Sequence, residues 1–173
     1  MSAQLTLVLG GIASGKSAFA EGLVRQSGKP MIYLATAQPF DDEMTQKIAR
    51  HRKARGPGWH TIEEPLALAQ NLREIAPGQC VLLDCATLWL SNHLLAESDI
   101  EAETHALLAA FADCSSDLVV VSNEVGLAGV PENALARQFA NAQGRLNKSI
   151  AARASRVILV TAGLPLTLKG PVA

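Results

Sequence analysis

The sequence predicts a single α/β domain in which helices cover both faces of a doubly wound, mainly parallel sheet. Short apolar runs recur along the chain without strict polar–apolar alternation, a pattern typical of strands buried on both faces. The segments between these runs are long enough for crossover helices. Hydrophobic residues make up 49% of the chain and charged residues 18%, which suits a fully covered sheet. Because no repeat, low-complexity tract or linker interrupts the pattern, we assign residues 1–173 to one domain.

Five strands are predicted in chain order, and each is a run rich in Val, Ile or Leu: 5–9, 31–35, 80–84, 118–122 and 157–161. A first helix is expected over 18–26. The long connection 36–79 is expected to hold two more helices, 41–55 and 65–75, joined by the helix breaker Gly56-Pro57-Gly58. Since ligands of open α/β sheets lie beyond the carboxyl ends of the strands, the loops at those ends should face one site.

The strongest functional signal directly follows the first strand. Its residues are Gly10-Gly11-Ile12-Ala13-Ser14-Gly15-Lys16-Ser17, which match G-x-x-x-x-G-K-[ST] between a strand and a helix. The glycines let backbone N–H groups point at phosphate oxygens, and the helix N-terminus adds partial positive charge. Lys16 can reach the β- and γ-phosphates, and the Ser17 hydroxyl can join a Mg²⁺ shell. The segment predicts a P-loop NTPase-type domain that binds a nucleoside triphosphate with Mg²⁺.

Polar residues at two further strand ends are candidates for the same site. Asp84 suits the second position that organises Mg²⁺ in P-loop enzymes, although many strands end in Asp as a turn residue. Asn123 and Glu124 follow the run 118–122; Glu124 could act as a base toward a substrate hydroxyl or cap the next loop, and the capping role is favoured. Asn147-Lys148-Ser149-Ile150 lacks the final Asp of a guanine-reading N-K-x-D segment, so we interpret it as helix surface.

The predicted helix 41–55 is basic and carries a histidine. His51 shares one face with Met44 and Ile48, and Arg55 stands one turn further on that face. The histidine ring could attack a phosphorus atom while neighbouring guanidiniums hold the phosphate oxygens. Spacing alone favours the alternative, an amphipathic helix with a solvated basic side and a histidine at its margin.

Composition argues against several other functional classes. The net charge of −1 provides no general attraction for nucleic acid or for an anionic membrane. The first four residues lack the basic region of a signal peptide, and no apolar run approaches the length of a membrane span. Cys80, Cys85 and Cys114 include no C-x-x-C pair, and Cys80 and Cys85 are expected to be buried thiols. We therefore expect a cytoplasmic protein.

Nine short segments together point to one known family. They resemble the bifunctional adenosylcobinamide kinase/adenosylcobinamide-phosphate guanylyltransferases of coenzyme B12 assembly, and they cover nearly the whole chain. One departure is Ile12-Ala13, where such proteins often have Ala-Arg, which leaves Lys16 in place but removes one cationic contact. The segments are Gly10-Gly11-Ile12-Ala13-Ser14-Gly15-Lys16-Ser17, Tyr33-Leu34-Ala35-Thr36-Ala37, Asp41-Asp42-Glu43-Met44, Ile48-Ala49-Arg50-His51-Arg52, Leu83-Asp84-Cys85-Ala86-Thr87-Leu88-Trp89, Ser122-Asn123-Glu124-Val125-Gly126, Val130-Pro131-Glu132-Asn133, Gly144-Arg145-Leu146-Asn147 and Ala162-Gly163-Leu164-Pro165-Leu166.

The resemblance implies two reactions: phosphorylation of adenosylcobinamide with ATP or GTP, then transfer of GMP from GTP through a guanylylated histidine to give adenosylcobinamide-GDP. It implies His51 as the guanylylated residue and a homo-oligomer, with a trimer as the expected state, while the loop motif and the strand end predict Ser17 and Asp84 as the Mg²⁺ ligands. It also implies a set of residues that line the nucleotide: Gly10, Gly11, Ile12, Ala13, Ser14, Gly15, Lys16, Ser17, Ala35, Thr36, Ala37, Arg52, Lys53, Ala54, Arg55, Glu63 and Asp84.

Two other functions stay open on the sequence alone. A plain P-loop small-molecule kinase would use the phosphate loop and Asp84 without a covalent histidine, and would carry no protein-bound nucleotide. A regulatory P-loop module would bind nucleotide and report it to a partner, although the missing guanine-reading Asp argues against a GTPase switch.

Overall fold

The computed structural model describes residues 3–38, 45–46, 49, 52–53 and 55–171. Seven strands occur there: β1 Leu5–Gly10, β2 Met31–Ala35, β3 Trp59–Glu63, β4 Cys80–Asp84, β5 Asp117–Asn123, β6 Arg156–Thr161 and β7 Leu164–Lys169. The helices with complete bounds are α1 Lys16–Gln26, α2 Leu68–Glu74, α3 Ala86–Leu95, α4 Ile100–Asp113 and α5 Ala134–Arg153, and a 3₁₀ turn spans Gly126–Ala128.

All seven strands form one sheet, in the order β3-β2-β4-β5-β1-β6-β7. Neighbouring strands are parallel except β6 and β7, which form an antiparallel hairpin. The predicted fold class, a mainly parallel α/β sheet, is therefore confirmed. Because β5 lies between β1 and β4, the strand that leads into the phosphate loop and the strand that ends in Asp84 finish at the same edge.

The core consists of one apolar layer on each face of the sheet. Leu7 belongs to the layer under α2–α5, whereas its neighbour Val8 belongs to the layer under α1. The same alternation runs along β4 and β5, where consecutive residues are buried on opposite faces. Burial on both faces explains why these strands are continuously apolar in sequence.

Several predicted boundaries need correction. β3 and β7 were not predicted, and Gly56-Pro57-Gly58 leads into β3 and not directly into a helix. The helix expected over 65–75 spans only Leu68–Glu74, and the helix expected from residue 18 begins at Lys16. The helix predicted over 41–55 lies largely outside the described residues, but those of its residues that are described are helical.

The three cysteines are free and buried, as expected for Cys80 and Cys85. Trp89 is also buried, and it donates from Nε1 to the carbonyl of Leu66. In the described part of the chain, no helix has both the length and the apolar character to cross a bilayer.

Candidate nucleotide site

The phosphate loop leaves β1 at Gly10 and enters α1 at Lys16. Gly15 has φ +93°, and a Cβ there would lie 3.2 Å from the Cα of Gly163 in the β6–β7 turn. The Gly163 amide donates to the Ser14 carbonyl at 2.8 Å, so this turn is hydrogen-bonded to the phosphate loop. Lys16 Nζ donates to the carbonyl of Gly11 at 3.2 Å, which places the ammonium inside the curve of the loop.

A cavity of about 470 Å³ opens beside the loop, at the carboxyl edge of the sheet. It brings together ten of the residues predicted to contact nucleotide: Ile12, Ala13, Lys16, Ser17, Ala35, Ala37, Arg52, Arg55, Glu63 and Asp84. The predicted residues Gly10, Gly11, Ser14 and Gly15 form the loop itself without lining the cavity, and Lys53 is exposed outside it. His51 and Ala54 lie outside the described residues.

Thr36 occupies a structural position between two strand ends. Its side chain is fully buried, and its hydroxyl donates to the carbonyl of Cys85 and accepts from the Cys85 amide, both at 2.8 Å. Asn92 Nδ2 donates to the Thr36 carbonyl at 2.9 Å. The neighbours Ala35 and Ala37 line the cavity, whereas Thr36 does not. The hydrogen bonds of Thr36 therefore fix the backbone between these two residues.

Glu63 is the last residue of β3, a strand at the edge of the sheet. It pairs with Ala35, which pairs on its other side with Asp84. Three neighbouring strand ends thus place two carboxylates on the same wall of the cavity. Glu64, by contrast, accepts hydrogen bonds from the amides of Leu66 and Ala67 and organises the turn before α2.

Asp84 lies in a cluster of charged and aromatic groups. Tyr33 Oη donates to Asp84 Oδ2 at 2.9 Å, and the Arg55 guanidinium lies over the Tyr33 ring. Burial raises the pKa of Glu21 on α1, Arg55 opposes that rise, and Asp84 adds to it. Two carboxylates and a buried guanidinium therefore share one electrostatic environment beside the cavity.

Asn123, a candidate from its place after the fourth predicted strand, lines the cavity. Thr87 Oγ1 accepts from its amide at 2.7 Å, and Asn147 Nδ2 donates to its carbonyl at 3.0 Å. Asn147 is buried with Gln143 and Ser122 in a hydrogen-bonded network, so our interpretation of residue 147 as helix surface was wrong.

Tyr33 and Thr61 also line the cavity and were not predicted as site residues. In the sequence, Tyr33 belongs to a predicted strand and to one of the nine family segments, whereas Thr61 had no signal because β3 was not predicted. Glu124 Oε1 accepts from the Gly126 amide at 3.3 Å, which is the loop-capping geometry favoured for it.

The oxygen donors present fit Mg²⁺. The Ser17 hydroxyl and the Asp84 carboxylate line the same cavity, and Mg²⁺ is usually held by one or two carboxylates together with substrate phosphates. Among the residues that the structure describes, no group of three or more His, Cys, Asp or Glu side chains could hold a metal by itself. A site of this kind would depend on the phosphates of a bound nucleotide.

Comparison with known proteins identifies one family. A family model described as cobinamide kinase / cobinamide phosphate guanyltransferase matches residues 6–168. The bifunctional adenosylcobalamin biosynthesis protein CobP of Pseudomonas aeruginosa is 47% identical over 167 residues, which are 95% of this chain and 96% of the relative. The bifunctional adenosylcobalamin biosynthesis protein CobU of Escherichia coli is 38% identical over 181 aligned residues, covering 95% of this chain and 99% of the relative. The predicted family resemblance and the prediction of an enzyme are confirmed.

The fold also resembles solved structures of distant sequence. The flagellar accessory protein FlaH from Methanocaldococcus jannaschii superposes with a TM-score of 0.56 at 14% identity, covering 98% of this chain and 79% of that one. This likeness concerns the fold alone.

Proposed function

Because the chain belongs to the cobinamide kinase / cobinamide phosphate guanyltransferase family, we propose that it performs two successive transfers at a single nucleotide cavity. The observation that carries the proposal is the composition of the cavity wall. It joins the phosphate loop, the strand-end residues Glu63 and Asp84, and Arg52 and Arg55 from the segment that contains His51.

The first transfer moves the γ-phosphoryl group of ATP or GTP to the aminopropanol hydroxyl of adenosylcobinamide. The acceptor oxygen forms the new P–O bond, the nucleoside diphosphate leaves, and the hydroxyl proton is released. Lys16 and the loop amides would hold the transferring phosphoryl group, since catalysis of such transfers is mainly positioning and charge stabilisation. Mg²⁺ held by Ser17 and Asp84 would neutralise charge on the phosphate oxygens.

The second transfer would use His51 as a covalent carrier. A neutral imidazole nitrogen attacks the α-phosphorus of GTP, a P–N bond forms, pyrophosphate leaves, and the ring gives up its N–H proton. A phosphate oxygen of adenosylcobinamide phosphate then attacks the same phosphorus, breaks the P–N bond and yields adenosylcobinamide-GDP. Arg52 and Arg55, which line the cavity, would stabilise the charge on the phosphates.

The test is covalent labelling with GTP that carries radioactive phosphorus at the α position, in the presence of Mg²⁺. We expect the wild type to retain label after denaturation, with the alkali stability and acid lability of a phosphoramidate, and His51→Ala to retain none. A matched control is His60→Ala, which removes an exposed histidine on β3 that does not line the cavity. Unlabelled wild type that still phosphorylates the corrinoid would leave a plain kinase.

We also propose, from the family resemblance, a cytoplasmic homo-oligomer, with a trimer as the expected state. Analytical ultracentrifugation at several protein concentrations tests the assembly directly. A single species with the mass of one 18.2 kDa chain would contradict it.

A further inference from the structure

Tyr33 is the only tyrosine of the chain and lies in the middle of β2, with its side chain buried. Its hydroxyl donates to Asp84 Oδ2 at 2.9 Å, across two neighbouring strands and 51 residues of sequence. The phenol O–H is the donor in this bond, because an ionised carboxylate can only accept. The hydrogen bond restricts rotation of the carboxylate at the cavity wall.

The ring of the same tyrosine holds Arg55. The guanidinium carbon lies 3.3 Å from the ring centroid, and Arg55 is only 6% exposed. A guanidinium over an aromatic face is bound most strongly when it is removed from water. Arg25 of α1 donates to the Arg55 carbonyl and lies over the ring of Trp59, which meets Tyr33 edge-on at 5.9 Å. Arg55 is thus fixed through both its side chain and its backbone.

We propose that Tyr33 is a positioning residue shared by the two transfers, with its hydroxyl orienting Asp84 toward the metal–nucleotide complex and its ring anchoring the segment that bears His51. Arg55 follows His51 by only four residues in the sequence, so the ring fixes a point of the chain close in sequence to the proposed nucleophile. The significance for transfer depends on the proposed function, whereas the orientation of Asp84 can be tested without either reaction.

The first experiment measures Mn²⁺ binding by electron paramagnetic resonance. The protein is saturated with a GTP analogue that has a methylene group between its α- and β-phosphates, and no corrinoid is added, so neither transfer occurs. Tyr33→Phe removes the hydroxyl and keeps the ring. We expect it to bind Mn²⁺ about three- to tenfold more weakly than the wild type, the range for the net contribution of one typical hydrogen bond.

Two further variants make this result specific. Thr6→Val removes another buried strand hydroxyl, at the opposite end of β1 from the phosphate loop, and should bind Mn²⁺ as the wild type does. Asp84→Asn should weaken Mn²⁺ binding at least as much as Tyr33→Phe. Wild-type affinity in Tyr33→Phe would overturn the role of the hydroxyl, and wild-type affinity in Asp84→Asn would overturn the metal assignment together with it.

The second experiment separates the ring from the hydroxyl. Tyr33→Leu removes both, and its labelling by α-labelled GTP at saturating Mg²⁺ is compared with that of Tyr33→Phe. We expect Tyr33→Leu to be labelled at least tenfold more slowly, because Arg55 loses the aromatic face that holds it. Equal rates would overturn the anchoring role. If the wild type itself takes up no label, the proposed function fails, while the Mn²⁺ measurement still decides the role of the hydroxyl.

Discussion

At the scale of a single residue, burial beside the cavity changes the ionisation of the Cys85 thiol. It follows Asp84 directly, and its backbone is fixed by the Thr36 hydroxyl through both its amide and its carbonyl. Burial, with a further contribution from Asp84, raises the pKa of the thiol to about 11. The thiol is therefore neutral at physiological pH, which agrees with a packing role and with the absence of a reactive thiolate at this position.

The raised pKa makes the stability of the protein sensitive to alkali. Between the ordinary thiol pKa near 9 and about 11, the unfolded chain releases the Cys85 proton while the folded chain keeps it, so the free energy of unfolding falls as pH rises. We expect a loss of about 2 kcal/mol between pH 8 and pH 10.5 that is missing in Cys85→Ala. Urea unfolding of both proteins at the two pH values measures it. Equal alkaline losses would contradict the assigned burial.

At the scale of elements, the phosphate loop depends on the β6–β7 hairpin. A Cβ on Gly10 would contact Ser14 Oγ and would lie 2.7 Å from the carbonyl oxygen of Val160 in β6. Gly11 differs, because a Cβ there would meet no atom within 4 Å. Two adjacent glycines of one motif thus have different physical reasons for their presence: the first allows close approach of two strands, and the second leaves the loop open toward a ligand.

This difference predicts opposite effects on folding. Gly10→Ala forces backbone atoms apart and should lower the free energy of unfolding by about 1–3 kcal/mol, the usual cost of overpacking. Gly11→Ala is the matched control and should change it by no more than about 0.5 kcal/mol. Chemical denaturation of both variants measures these changes in the free energy of unfolding. A Gly10→Ala protein as stable as the wild type would show that β6 does not constrain the loop.

Elements also differ in how far the sequence determines them. The bounds of β2 and β4 match their predicted runs, because both strands are buried on two faces and their apolar signal is continuous. β3 and β7 stand at the two edges of the sheet, where their residues are partly or largely exposed and the same signal is absent. Edge strands are specified by pairing with a neighbour, which a local pattern does not reveal.

At the scale of the whole molecule, the sequence predicts the site residues that belong to a local motif. It does not predict contacts that depend on the register between paired strands. Lys16, Ser17 and Asp84 follow from a loop motif and a strand end, and the structure brings them to one cavity. The contact between Tyr33 and Asp84 depends on the pairing of β2 with β4. The buried position of Asn147 depends on the packing of α5 against β5, so a local polar segment of a helix gave no sign of it.

In the proposed function, one nucleotide cavity serves both transfers. Lys16→Met tests it most directly, because it keeps the side-chain stem and removes the charge that the phosphate loop presents. We expect both corrinoid phosphorylation and labelling of the protein by α-labelled GTP to fall by about 100-fold or more. Lys148→Met, on the exposed side of α5, is the control and should retain both activities. A Lys16→Met protein that loses phosphorylation but is guanylylated at the wild-type rate would contradict the claim and require a second nucleotide site.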